Sequence, residues 1–159
     1  MGPRERCYSV VTVCTGNICR SPMAEVILRA ALTDAGLADR VVVTSAGVGD
    51  WHVGEPMDRR AAATLADRGY GTDHVARQID ETTAEADLVL AATTDHARDL
   101  IRAGVPADRV RLLRSFDPAA PEGAEVPDPY YGGPEGFDEV FAMLEAATPG
   151  VVAWARERV

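Results

Sequence analysis

A β-branched, apolar run, Tyr8-Ser9-Val10-Val11-Thr12-Val13, gives way after one short loop to a helix-forming stretch that opens at Ser21-Pro22. The first run reads as a buried strand and the second carries a helical period, so the junction fixes strand, loop and helix in immediate succession. Ser21 is expected to cap that helix with Pro22 at its first position. Met23, Val26, Ile27, Ala30, Ala31 and Ala35 supply its apolar face, and Gly36 ends it. The alternation then repeats. Val41 to Ala46 is a second strand, Gly47 to Glu55 a polar loop holding Trp51 and His52, and Pro56 to Arg68 a helix closed by Gly69. Asp87 to Ala92 is a third strand, about Asp95 to Ala103 a helix, and Arg109 to Leu113 a fourth strand. A long Pro- and Gly-rich loop, Ser115 to Gly136, leads to C-terminal helical segments. Strands alternating with helices predict an α/β fold whose parallel sheet is covered on both faces, with ligands at the carboxyl ends of the strands. Cys14, Trp51, Asp95 and the loop after Leu113 all follow strand ends.

At 159 residues and 47% apolar composition, the chain suits a single domain, 1–159, with one sizeable core. Its formal net charge of -9 disfavours nucleic acid, whose phosphate backbone wants a basic face, so any phosphate must be bound by local donors. All sixteen basic residues are Arg, which removes lysine-based mechanisms. No apolar run is long enough for a membrane span, and the N-terminus lacks a hydrophobic signal region. Met1-Gly2 does not make a myristoylation signal, because Pro3 follows directly and Arg6 stands where the motif wants Ser or Thr. The expectation is a cytoplasmic, monomeric protein with no membrane partner. Three cysteines in such a chain argue against a disulfide scaffold. His52, His74 and His96 lack metal-ligand spacing, so no metal and no cofactor is expected.

The chemistry concentrates in the loop Cys14-Thr15-Gly16-Asn17-Ile18-Cys19-Arg20-Ser21. A thiolate beside converging backbone N–H groups, a helix N-terminus and a guanidinium finds negative charge stabilised from every side, and the same donors suit a phosphate dianion. The planar fork of Arg20 fits the equatorial oxygens of a transferring phosphoryl group. Gly16 lets the backbone turn, and Asn17 can adopt a left-handed conformation or tie the loop internally. Ser21 can donate to the Cys14 sulfur. Cys19 could trap an oxidised Cys14 as a disulfide or be a buried filler, and Cys7 is expected to be inert.

These residues resemble the low-molecular-weight protein tyrosine phosphatases. The likeness starts at Val11 to Met23, runs through Thr44-Ser45-Ala46-Gly47, Trp51-His52-Val53-Gly54, Asp73-His74 and Ala76-Arg77-Gln78-Ile79, and reaches Asp128-Pro129-Tyr130-Tyr131-Gly132. It implies a doubly wound, flavodoxin-like four-stranded sheet of order 2-1-3-4. It further implies that Cys14 is the nucleophile, that Arg20 and the loop amides bind phosphate, and that Asp128 is the general acid. Phenolate leaves poorly unless protonated, and water must later be deprotonated to cleave a phosphocysteine, so one carboxyl can serve both steps. Pro127 and Pro129 restrict the backbone around that carboxyl. Trp51, Tyr130 and Tyr131 are expected as walls of an aromatic slot for phosphotyrosine. The resemblance assigns Asn17, Ser21, Ser45 and His74 to a hydrogen-bond network behind the loop, and Asp95 to anchoring Arg20, unless Asp95 is simply a helix cap. Two other readings compete. An arsenate reductase of the same fold would need a further cysteine pair, and Thr82 to Thr94 holds no Cys. A phosphoryl carrier or phosphopeptide-binding module would need the cradle without the acid.

Overall fold

The computed structural model describes residues 6–159, so Gly2 and Pro3, weighed for lipidation, lie outside the described residues. Strands β1 (Tyr8–Cys14), β2 (Val41–Gly47), β3 (Leu88–Ala91) and β4 (Val110–Leu112) form one parallel sheet in the order β2-β1-β3-β4. Successive strand residues point to opposite faces. Val10, Val43, Leu88 and Leu90 face one core, covered by helices α1 (Arg20–Asp34), α2 (Arg59–Ala66) and α5 (Glu135–Arg158). Val11, Val13, Val89 and Ala91 face the other, covered by Leu100 of α4 (Thr94–Arg102) and by Val105 after it. The sheet is therefore doubly wound, as expected. Its order reverses at β1, so the loop after β1 opens into the crevice where such sheets bind ligands.

The element ends differ from expectation where side-chain bonding decides them. Helix α2 starts after Pro56 because the Asp58 carboxylate accepts the Arg60 N–H and caps it. Helix α1 buries Met23, Ala24, Ile27, Leu28 and Leu32, whereas Ala30 and Ala31 sit at its margin. The two leucines offer more apolar area than the alanines and turn the helix by about one position. Helix α3 (Glu81–Glu85) was not foreseen; its single turn is made by a capping box between Asp80 and Thr83. The long loop is bounded by a 3-10 turn at Leu113–Phe116, and the C-terminal segments form one helix that continues through Pro149. Among the described residues no helix is long and apolar enough to cross a membrane.

Candidate active site

Everything in the loop after β1 follows from where its carbonyls go. The Cys14 and Thr15 oxygens accept from Val48 N and Gly49 N, both at 2.9 Å. The Asn17 oxygen accepts from His74 Nε2 at 2.7 Å, and the Ile18 oxygen from Asp58 N at 2.8 Å. Drawn outward on four sides, these peptides turn their N–H edges the other way, making an anion-binding nest around the sulfur. The loop is also closely backed. A Cβ on Gly47 would stand 2.9 Å from the Thr15 oxygen and from the Gly16 carbonyl carbon, so only glycine lets β2 approach this closely.

Asn17 holds the loop from inside. It has φ 59°, the left-handed conformation expected of it, and it also ties the loop internally. Its Nδ2 donates to Ser21 Oγ at 2.8 Å and Ser45 Oγ at 2.9 Å, while its Oδ1 accepts from Arg77 N at 2.9 Å. Because Ser21 Oγ receives a proton from Asn17, its own hydroxyl is free for Cys14 Sγ, 3.0 Å away. The Ser21 N–H adds a second donor to that sulfur at 3.4 Å. Ser45 in turn donates to Glu25 Oε1 at 2.6 Å, and His74 Nδ1 lies 3.8 Å from the same oxygen. The network expected of Asn17, Ser21, Ser45 and His74 is thus present, with Glu25 as an anchor that was not foreseen. Glu25 reads in sequence as an ordinary charged helix residue, and only β2 and His74 crossing over it give it this place.

One role of Ser21 is corrected. Helix α1 begins at Arg20, and the capping position belongs to Cys19, whose side chain makes no cap bond. Ser21 already lies within the first turn, where its hydroxyl faces the Cys14 sulfur and, at 3.5 Å, the Ala46 oxygen instead of capping the helix. The helix thus starts two residues earlier than expected, which places Arg20 rather than Pro22 at its first position.

The anchoring of Arg20 is corrected as well. Asp95 is 84% exposed and pairs with Arg98 at 2.7 Å. Nor does it cap α4, since Thr93 accepts the His96 N–H there. Arg20 instead donates from Nη1 to the Val126 oxygen at 3.0 Å and from Nη2 to Thr15 Oγ1 at 3.2 Å. Thr15 Oγ1 lies 2.8 Å from His96 Nε2. One helix position, about 100° of rotation, separates the outcomes: with α4 starting at Thr94, Asp95 faces water and His96 turns inward to Thr15. Burial first, then the nearby Arg20 charge, pushes His96 down to about 4. Thr15 Oγ1 thus sits between His96 Nε2 and Arg20 Nη2, accepting from the latter. Arg20 Nε is buried without a protein acceptor, a donor left over for an anion.

Asp128 stands at the opposite side, its Oδ2 3.6 Å from Arg20 Nη2 and its Oδ1 accepting from Tyr130 N at 3.0 Å. Cys14, Arg20, Asp128, Trp51, Tyr130 and Tyr131 line one cavity of about 430 Å³, together with Thr15, Gly16, Ile18, Cys19 and His52. At 70% and 87% exposure, Trp51 and Tyr131 stand at its rim rather than as enclosed walls. Cys19 is a free thiol, and burial, followed by the charges of Asp58, Cys14 and Asp128, pushes it up. It therefore stays protonated, a poor nucleophile. Cys7 is exposed, its thiol 3.5 Å from the Asp39 oxygen.

The model of the family described as low molecular weight phosphotyrosine protein phosphatase matches residues 9–158. The low molecular weight protein-tyrosine-phosphatase of Streptomyces coelicolor is 53% identical over 158 residues, covering 96% of each chain. Among solved structures, a protein tyrosine phosphatase from Entamoeba histolytica superposes with a TM-score of 0.88 at 30% identity, covering 94% of this chain and 97% of that one. A mutant of the Bacillus subtilis arginine phosphatase YwlE whose active-site serine is phosphorylated superposes with a TM-score of 0.84 at 28% identity, covering 94% and 96%.

Proposed function

The chain belongs to the low molecular weight phosphotyrosine protein phosphatase family, and from that premise we propose that it hydrolyses phosphotyrosine in proteins through a phosphocysteine on Cys14. The observation that carries this reading is the meeting of Cys14, Arg20 and Asp128 on one cavity. The Cys14 thiolate, with two donors from Ser21 on its sulfur, attacks phosphorus in line. The P–O bond to tyrosine breaks, and Asp128 delivers its proton to the leaving phenol oxygen. Arg20 and the loop N–H groups hold the equatorial oxygens as charge shifts across them. The bound dianion replaces Asp128 as the counter-charge of Arg20, which frees the carboxyl to take up a proton from solvent and face the leaving group. Water then attacks phosphorus, Asp128 takes its proton, the P–S bond breaks, and phosphate leaves.

Trp51, Tyr130 and Tyr131 frame an entrance suited to a planar ring, through which a short phosphoserine side chain would not carry its phosphate to the sulfur. Each residue the chemistry uses comes from this one chain, in keeping with a single-domain, monomeric enzyme acting on tyrosine-phosphorylated proteins. An arsenate reductase would need a thiol relay. Cys7 lies just before β1, about 23 Å from Cys14 at strand rise. The test is a panel of phosphotyrosine, phosphoserine and phosphoarginine peptides. Hydrolysis of phosphotyrosine well above the other two is expected, with turnover abolished in Cys14→Ser. Full activity in that variant would sink the mechanism, and a preference for phosphoarginine would replace the substrate.

A further inference from the structure

The carboxyl proposed as general acid sits on an exposed loop, yet the steps assigned to it demand placement to a fraction of an ångström. The segment is pinned on both sides of Asp128. Before it, Val126 donates its N–H to the Ala92 oxygen at 2.9 Å and accepts from Arg20 Nη1 at 3.0 Å. After it, Arg60 reaches across from α2, donating from Nη2 to the Tyr130 oxygen at 3.0 Å and from Nη1 to the Gly132 oxygen at 3.3 Å. The guanidinium carbon also lies 4.7 Å from the centre of the buried Phe137 ring.

Arg60 is itself held. Its Nε and Nη2 each meet an oxygen of Asp58 at 3.1 Å, a two-point pairing that fixes the plane of the fork. Asp58 also donates its N–H to the Ile18 oxygen at 2.8 Å, on the outer side of the cradle. Burial opposes the Asp58 charge, but the hydrogen bonds from Arg60 outweigh it and hold this carboxyl below the usual carboxylate range. A continuous path of hydrogen bonds therefore joins the cradle to the segment that carries Asp128: Ile18, Asp58, Arg60, then Tyr130 and Gly132.

Resting on the phosphatase reading, we infer that Arg60, locked by Asp58, is a positioning residue that sets the distance between the Cys14 cradle and the Asp128 carboxyl. It touches neither sulfur nor substrate and acts through the backbone of 130–132. A lysine in its place could not span two carbonyls and a carboxylate at once, because an ammonium lacks the planar fork.

The test separates proton delivery from folding. kcat/KM is measured for Arg60→Lys, Arg60→Gln and Asp58→Asn with phosphotyrosine, whose leaving group needs a proton, and with 2,4-dinitrophenyl phosphate, whose leaving group does not. Asp58→Asn keeps a helix cap while unlocking the fork, which guards against simple loss of α2. All three variants should lose roughly ten- to one-hundredfold on phosphotyrosine, several times more than on the dinitrophenyl ester. The loss should shrink toward nothing when each is combined with Asp128→Asn. Equal losses on both substrates, or losses that multiply in the double variants, would overturn the role of Arg60 while leaving Asp128 as acid. If Asp128→Asn itself spared phosphotyrosine relative to the dinitrophenyl ester, the general-acid reading would fall and this inference with it.

Discussion

Asn17 is the residue on which the cradle's shape depends, and replacing it separates two physical effects. Asn17→Ala removes three hydrogen bonds in a fully buried setting, two from Nδ2 and one to Oδ1. At about 1 kcal/mol net for each, their loss costs about 3 kcal/mol. A further 1 kcal/mol or so comes from holding alanine at a left-handed φ. The total, about 4 kcal/mol, is a large part of the roughly 5–15 kcal/mol that holds a domain folded. Asn17→Gly loses the same bonds but not the backbone penalty, so it should be the milder of the two by about 1 kcal/mol. Urea unfolding of the three proteins reads these differences directly. A midpoint shift worth less than about 1 kcal/mol in Asn17→Ala, or a glycine variant less stable than the alanine one, would refute the reasoning.

Three other outcomes are expected. Gly47→Ala forces a Cβ against the Thr15 and Gly16 backbone; it should cost about 1–3 kcal/mol in unfolding experiments and slow turnover more than Gly16→Ala, whose new methyl meets only the movable His52 ring. His96 gives stability a pH dependence. Its folded value of about 4 lies below the ordinary 6.5, so between those values the unfolded chain binds a proton that the folded chain refuses, and stability present above pH 6.5 is lost on acidification. By pH 5 the loss is about 2 kcal/mol, which His96→Asn should remove when the two proteins are unfolded in urea at pH 7.5 and 5. Asp128→Asn should lower kcat/KM roughly 10²- to 10⁴-fold for phosphotyrosine in initial-rate assays; an unchanged kcat/KM would contradict the acid.

Much of the fold was legible because its signals are local. The runs Tyr8 to Val13 and Val41 to Ala46 are β-branched, Gly36 stops α1 with φ 77°, and the alternation of strand with helix leaves few topologies open. The cradle was legible for the same reason, since Cys14 to Ser21 are contiguous. What stayed hidden depends on contacts between distant segments. The bridge from Gly47 to Gln78, the anchoring of Ser45 by Glu25 and the reach of Arg60 to Tyr130 carry no signature in their own neighbourhoods. Asp95 was misplaced for a subtler reason. Both it and His96 are polar residues at the start of one helix, and only the onset at Thr94 decides which faces Arg20. Ser21 shows that a residue can match a cap pattern while the backbone puts it to other use.

Chemical quench of a turnover reaction with 32P-labelled phosphotyrosine peptide, followed by mass mapping of the trapped protein, reads the covalent step itself. A phosphoryl group on Cys14, absent in Cys14→Ala and formed faster than phosphate is released, is the expected result. Label on any other residue, or phosphate released by the Cys14→Ala protein at the wild-type rate, would contradict the mechanism.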